Sequence, residues 1–285
     1  MKALSDVKIQ NILKCPVCGS HMAVSENKTS LICLGQRRHC YDFAASGYVN
    51  LCSPTHSNGG DSKQAVRARG AFLDLGYYTP VAEALAKASV EHGTPKGIVL
   101  DAGCGEGFYS RFLAAEGFSV IGVDLSKFAV DAAAKRLFRE GIGNQLFATA
   151  SVFELPVFDS SVDVITNVFA PCVETEYSRA LKHDGVLLVA HAGEEHLMGL
   201  KSAIYENTHL NTQRADLPTQ MQKIDEIRVR YDITLNSNKE IMDLFSMTPY
   251  YWKTSVEDGK KLSRIDKLET EVDIIISAYK KKTDF

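Results

Sequence analysis

Residues 97–107 read GIVLDAGCGEG, and residues 118–124 read FSVIGVD. The first stretch is an apolar run that ends in Asp101 and turns through Gly103, Gly105 and Gly107. FYSRFLAAEG (108–117) then has helical spacing, and FSVIGVD is a second strand closed by Asp124. Strand, glycine turn, helix and strand make a βαβ unit, whose parallel strands need cover on both faces. The alternation continues. KFAVDAAAKRLFREG (127–141) reads as a helix, and LFATASV (146–152), SVDVITNVF (161–169) and GVLLVAHAG (185–193) read as strands three to five. Upstream, KQAVRARGAFLDLG (63–76) and YYTPVAEALAKASVEHG (77–93) read as helices broken near Gly76 and Pro80. Downstream, IRVRYDITLN (227–236) and EVDIIISAYK (271–280) read as two more strands, with the helix KEIMDLFSMTP (239–249) between them. The expected fold is α/β, a Rossmann-like, mostly parallel sheet.

Gly103 and Gly105 let the backbone turn tightly and approach a ligand. Asp124, seventeen residues after Gly107, stands where a carboxylate can accept hydrogen bonds from both ribose hydroxyls. The loop lacks the GxGxxG spacing and carries the acids Asp101 and Glu106, which disfavour a pyrophosphate. A cationic sulfonium tolerates them. D-x-G-x-G-x-G with an acid at the next strand end resembles the class I S-adenosylmethionine methyltransferases. In that fold Ser151 falls where adenine is contacted, and Asn167–Cys172 (NVFAPC) ends the strand beside which the methyl acceptor sits. Ser151 reads equally well as a surface serine. Cys172 has no partner histidine set by spacing, which disfavours a nucleophile.

The charge is uneven. Net charge is −3, yet residues 1–70 carry nine Lys/Arg against four Asp/Glu, leaving 23 against 31 in the remainder. A basic part on an acidic body points to different partners for the two. Five of seven cysteines, Cys15, Cys18, Cys33, Cys40 and Cys52, lie in the first 52 residues. The opening residues carry scattered charge and no apolar signal segment, so the expected location is the cytoplasm, where thiols stay reduced. No run of about 18 apolar residues occurs, and no membrane contact is expected. Cys15-Pro-Val-Cys18 is a metal knuckle, with Cys33 and the adjacent His39 and Cys40 following. Four such ligands on Zn²⁺ would fix a segment that cannot bury a core unaided. Spacing leaves His39 and Cys40 as alternatives for the fourth ligand, and Cys52 reads as a small apolar residue. Residues 1–14 read as a polar leader and 53–63 (SPTHSNGGDSK) as a linker.

Taken in order, CPVCGS, LIC, RHCYDFAASGYVNL, RARGAFLDLGYYTPV, LDAGCGEGFYS, FAPC and HLMGLKSAIYE resemble the bacterial large-subunit (23S) rRNA guanine-N1-methyltransferases. The likeness runs from about Cys15 to Tyr205, with a weaker echo at Phe245–Pro249. It implies an N-terminal zinc module that grips RNA and a class I methyltransferase domain. It divides the chain into a zinc-binding RNA-recognition module (1–60), a helical linker (61–95) and a methyltransferase domain (96–285). Zinc ligands carried over are Cys15, Cys18, Cys33 and His39. Two extra residues before His39 depart from the family pattern and keep Cys40 in play. Cofactor contacts carried over are Tyr78, Gly105, Glu106 and His196, which join Gly103 and Asp124 from the loop reading. Residue chemistry alone makes Tyr78 a packing aromatic and His196 a solvated histidine.

The implied partner is 23S rRNA, and a homodimer is compatible with the reading. Guanine N1 must lose a proton and must be unpaired to react. Asn167, Glu174, His191 and His196 fall near the expected pocket, and the sequence does not rank them as a base. Phosphate contacts are expected from Lys14, Arg37, Arg38, Arg67 and Arg69. Two rival readings are a methyltransferase for a small natural product or quinone, and a non-catalytic zinc-ribbon RNA binder. The first leaves the zinc module and its charge unexplained. The intact Asp101, Gly103, Gly105 and Asp124 argue against the second.

Overall fold

A computed structural model describes residues 6–52, 60–140, 143–212 and 214–282. Most of the expected linker, residues 53–59, lies outside them. The chain opens with α1 (Val7–Ile12) and a three-stranded antiparallel sheet of β1 (Met22–Val24), β2 (Ser30–Cys33) and β3 (Cys40–Asp42). Then come β4 (Val49–Asn50), α2 (Lys63–Leu73) and α3 (Thr79–His92). The alternating body follows: β5 (Ile98–Ala102), α4 (Phe108–Ala115), β6 (Ser119–Asp124), α5 (Lys127–Glu140), β7 (Gln145–Thr149), β8 (Val162–Val168), α6 (Glu174–Ala180), β9 (Leu181–Ala192) and α7 (Met198–Ile204). The chain closes with β10 (Gln222–Leu235), α8 (Asn238–Ser246), α9 (Tyr250–Lys253), α10 (Val256–Leu262) and β11 (Leu268–Lys280).

The large sheet has the order β10-β11-β9-β8-β5-β6-β7-β4, with only β10 and β11 antiparallel to their neighbours. Central β5 and β8 are buried along their whole length, which is why they read as unbroken apolar runs. Strand β5 pairs with β6 on one side and β8 on the other. The strand order therefore reverses beside β5, and a crevice opens at the strand carboxyl ends there.

The polar-leader reading of residues 1–14 is corrected over residues 6–14. Asp6 caps α1, accepting from Lys8 N at 2.8 Å, and Ile9, Ile12 and Leu13 are buried in one apolar cluster with Ile98, Ile121 and Val157. Their i, i+3, i+4 spacing gives one apolar face, but six residues are too few to show a helical period. The cysteine-rich segment shares that cluster through Met22, Leu31, Val49 and Leu51, and β4 adds to the edge of the large sheet. Its burial is thus supplied by the body.

Candidate functional site

The turn after β5 is built by its glycines. Gly103 has φ +82° and Gly105 φ +54°, both in the left-handed region that glycine enters at no steric cost. A Cβ on Gly103 would lie 2.4 Å from the Cβ of Ala170, so only glycine lets the β8 loop approach. Gly103 N and Cys104 N both donate to Val123 O, and Gly105 N donates to Asp124 Oδ2 at 3.0 Å. Asp124 also accepts from Ser126 N at 2.8 Å, so one carboxylate ties the two loops together. Beneath them Asp101, buried and bonded to Ser110 Oγ and Thr166 Oγ1, has its pKa pushed up to about 6 by burial.

Tyr78, Gly103, Gly105, Glu106, Asp124 and His196 all line one cleft of about 690 Å³ at this crevice. His196 is no solvated histidine. It is 6% exposed, and burial lowers its pKa to about 4. Asp273 N donates to its Nδ1 at 3.2 Å, which leaves the proton of the neutral ring on Nε2. Nε2 lies 3.3 Å from the buried Tyr78 hydroxyl and can only donate to it, so the Tyr78 proton is free to face the cleft. The chain around His196 is clamped by Asp273 of β11, which accepts from Arg228 Nε at 2.7 Å and Glu195 N at 3.1 Å.

Phe169, just past β8, adopts φ +52° and its ring stacks at 6.0 Å on that of His196. Thr248, Pro249 and Tyr250, which also line the cleft, follow the end of α8. Side chains cap the start of that helix: Ser237 Oγ accepts from Glu240 N, and Glu240 accepts from Asn236 N. A cleft of this size, with backbone turns, an acid at the β6 end and an apolar floor, fits a nucleoside with an amino-acid tail.

The four residues left open as a base take other roles. Asn167 and Tyr177 support the loop carbonyl of Pro171, and Glu174 accepts from the N–H groups of Thr219, Gln220 and Met221. His191 does not line the cleft, and His196 has no free acceptor nitrogen. Burial raises Cys172 to about 11, so it stays a thiol, and Ser151 caps a turn by accepting from Phe153 N. The flanking Ala150, Val152 and Phe153 line the cleft instead.

Cys15, Cys18, Cys33 and His39 present ligand atoms all within 4.8 Å of one another. Cys18 Sγ lies 3.3 Å from Cys33 Sγ, and Cys15 Sγ lies 3.5 Å from His39 Nδ1. Three thiols and one imidazole at this spacing fit a tetrahedral Zn²⁺. Cys40 lies outside the group, exposed, with its thiol toward Asp42. His39 immediately precedes β3, and of the two neighbours only His39 brings its ring to the three thiols. Arg37, Arg38 and Arg67 are exposed, as a phosphate contact requires. Arg69 is corrected: its side chain is 22% exposed and ion-paired with Glu106 at 2.8 Å and with Asp61, in the cleft wall. Arg69, Phe169 and Asp273 are cleft or support residues that spacing did not reveal.

Residues 94–247 match the family model described as a methyltransferase domain. The chain is 32% identical, over 85% of its length and 87% of the relative's, to a Micromonospora griseorubida protein provisionally named a 23S rRNA (guanine-N1)-methyltransferase. It is 34% identical, over 67% of each chain, to the 23S rRNA (guanine(748)-N1)-methyltransferase of Streptomyces fradiae. Its fold is that of the Bacillus subtilis YcgJ protein, with a TM-score of 0.50 and 17% identity, covering 71% of this chain and 99% of that one.

Proposed function

Because this chain belongs to the 23S rRNA guanine-N1-methyltransferase family, with a methyltransferase domain over residues 94–247, we propose that it methylates N1 of a guanine in a 23S rRNA hairpin loop, using S-adenosylmethionine. The observation that carries this is the single cleft that joins the glycine turn and Asp124 to an aromatic mouth of Phe169 and Tyr250. Base recognition outside a helix relies on such stacking surfaces.

In this reading Gly103 and Gly105 admit the methionine part, Asp124 accepts from the ribose hydroxyls, and Tyr78 donates into the cleft. When bound, S-adenosylmethionine supplies an electrophilic methyl group on a sulfonium. Phe169 and Tyr250 hold the base and exclude water from its flat faces, so the chain's contribution is chiefly orientation. Each carboxylate lining the cleft is already engaged: Asp61 and Glu106 by Arg69, Asp124 by Gly105 N and Ser126 N. Cys15, Cys18, Cys33 and His39 hold a structural Zn²⁺. That ion fixes the cysteine loops of an RNA-recognition module spanning 1–60, which 61–95 link to the catalytic domain at 96–285.

A methyl group on N1 removes the donor of the pairing edge, so reverse transcriptase should halt one nucleotide before the product. Unmodified 23S rRNA incubated with the protein and S-adenosylmethionine should acquire one such stop in an exposed loop. Methyl incorporation with unimpeded primer extension would move the target to another atom.

A further inference from the structure

We propose that Arg69 is the counter-ion for the carboxylate at the methionine end of the cofactor, and that Asp61 is a tether which this carboxylate replaces. The inference rests on the S-adenosylmethionine reading of the cleft. It starts from charge. Asp61, Glu106 and Asp124 line the cleft, and Arg69 is the only Lys or Arg among the described residues that do. Burial keeps His196 neutral near pH 7. The acids suit the sulfonium and ammonium of the ligand, but its carboxylate needs a cation, because burying an unpaired anion is costly.

The glycine turn carries no cationic side chain, and four of its N–H groups are already committed. Gly103 N and Cys104 N donate to Val123 O, Gly105 N to Asp124, and Gly107 N to Cys104 O. Arg69 is placed to fill that need. A Cβ on Gly105 would come within 3.1 Å of Arg69 Nη2, so the guanidinium lies against the turn itself. Nε is taken by Glu106, whose side chain is 4% exposed, and Nη1 by Asp61, whose side chain is 48% exposed. Nη2 has no acceptor among the described residues. The buried Glu106 orients the guanidinium, while the exposed Asp61 makes the contact that is cheaper to exchange. Helix α2 thereby supplies a cofactor contact from outside the βαβ unit.

Calorimetry with S-adenosylmethionine and decarboxylated S-adenosylmethionine separates this role from packing. The parent protein should prefer the carboxylated compound by roughly 10- to 100-fold, the worth of a charge-assisted hydrogen-bonded pair. Arg69→Gln should bind the two compounds alike, with its loss confined to the carboxylated one, and Arg69→Lys should keep part of the preference. Asp61→Asn should tighten S-adenosylmethionine several-fold and leave the decarboxylated compound unchanged. A parent protein that binds both compounds equally overturns the proposal and leaves the cofactor reading standing. So does an Arg69→Gln variant that keeps the preference or weakens both compounds alike. Binding of neither compound by the parent overturns both readings.

Discussion

Acidification acts on His196 and Asp101 with opposite sign, because burial disfavours the charged form of each. His196 titrates near 4 when folded against about 6.5 unfolded, so the unfolded chain binds the extra proton first. The stability this protects is present above pH 6.5 and is lost as pH falls toward 4, about 2 kcal/mol by pH 5. Asp101 titrates near 6 when folded against about 3.8, so its contribution falls as pH rises through that interval. His196→Asn should therefore melt at a temperature that drops less than the parent's between pH 7 and pH 5. Cofactor affinity reads the acids of the turn together. Burial raises the pKa of both Asp101 beneath it and Asp124 in the cleft wall. Both must be ionised to favour a cationic ligand, so S-adenosylmethionine affinity should weaken below about pH 6 and hold steady from pH 7 to 8. A flat calorimetric profile would remove both from that role. Asp124→Asn keeps an acceptor but loses the charge, and should weaken S-adenosylmethionine by roughly ten- to a hundredfold.

At the scale of elements, α1 and the cysteine loops fold only together with what they lean on. Leu13 is fully buried and bridges to Val157, so Leu13→Ala should cost about 2–5 kcal/mol, measured by denaturant unfolding. The loss should loosen α1 from the sheet while S-adenosylmethionine affinity holds, since Leu13 does not line the cleft. The zinc proposal predicts about one Zn²⁺ per chain by elemental analysis, lost in Cys18→Ser. Cys40→Ser should retain the metal, because the exposed Cys40 thiol turns away from the cluster. Of the two neighbours His39 and Cys40, the structure brings only His39 within reach of the three cysteines, a choice that chain spacing leaves open.

Across the whole molecule, a basic N-terminal part sits on an acidic body, and RNA affinity should fall steeply with salt. Arg37 and Arg38 are exposed near the zinc cluster, so the double alanine variant should weaken RNA binding several-fold. It should also reduce the salt slope by about two, one for each phosphate contact. Arg69→Gln should leave that slope unchanged, since Arg69 is spent on Glu106 and Asp61 inside the cleft.

The sequence by itself determined the parallel sheet, the glycine turn and the acid at Asp124. Each of these is local: an apolar run of strand length, a left-handed φ that glycine enters without steric cost, and a residue fixed at a strand end. It also marked Cys15 and Cys18 as candidate zinc ligands, because a two-residue spacing constrains geometry directly. Only the tertiary structure decided the rest. His196, Asp273 and Tyr78 are far apart in the chain, and their proton arrangement exists only because β11 runs beside β9 and presents Asp273 N to the imidazole. Arg69 looks like any basic residue of an exposed helix until the glycine turn puts Glu106 against it. Long-range pairing sets burial, and burial decides which charges meet water and which meet one another.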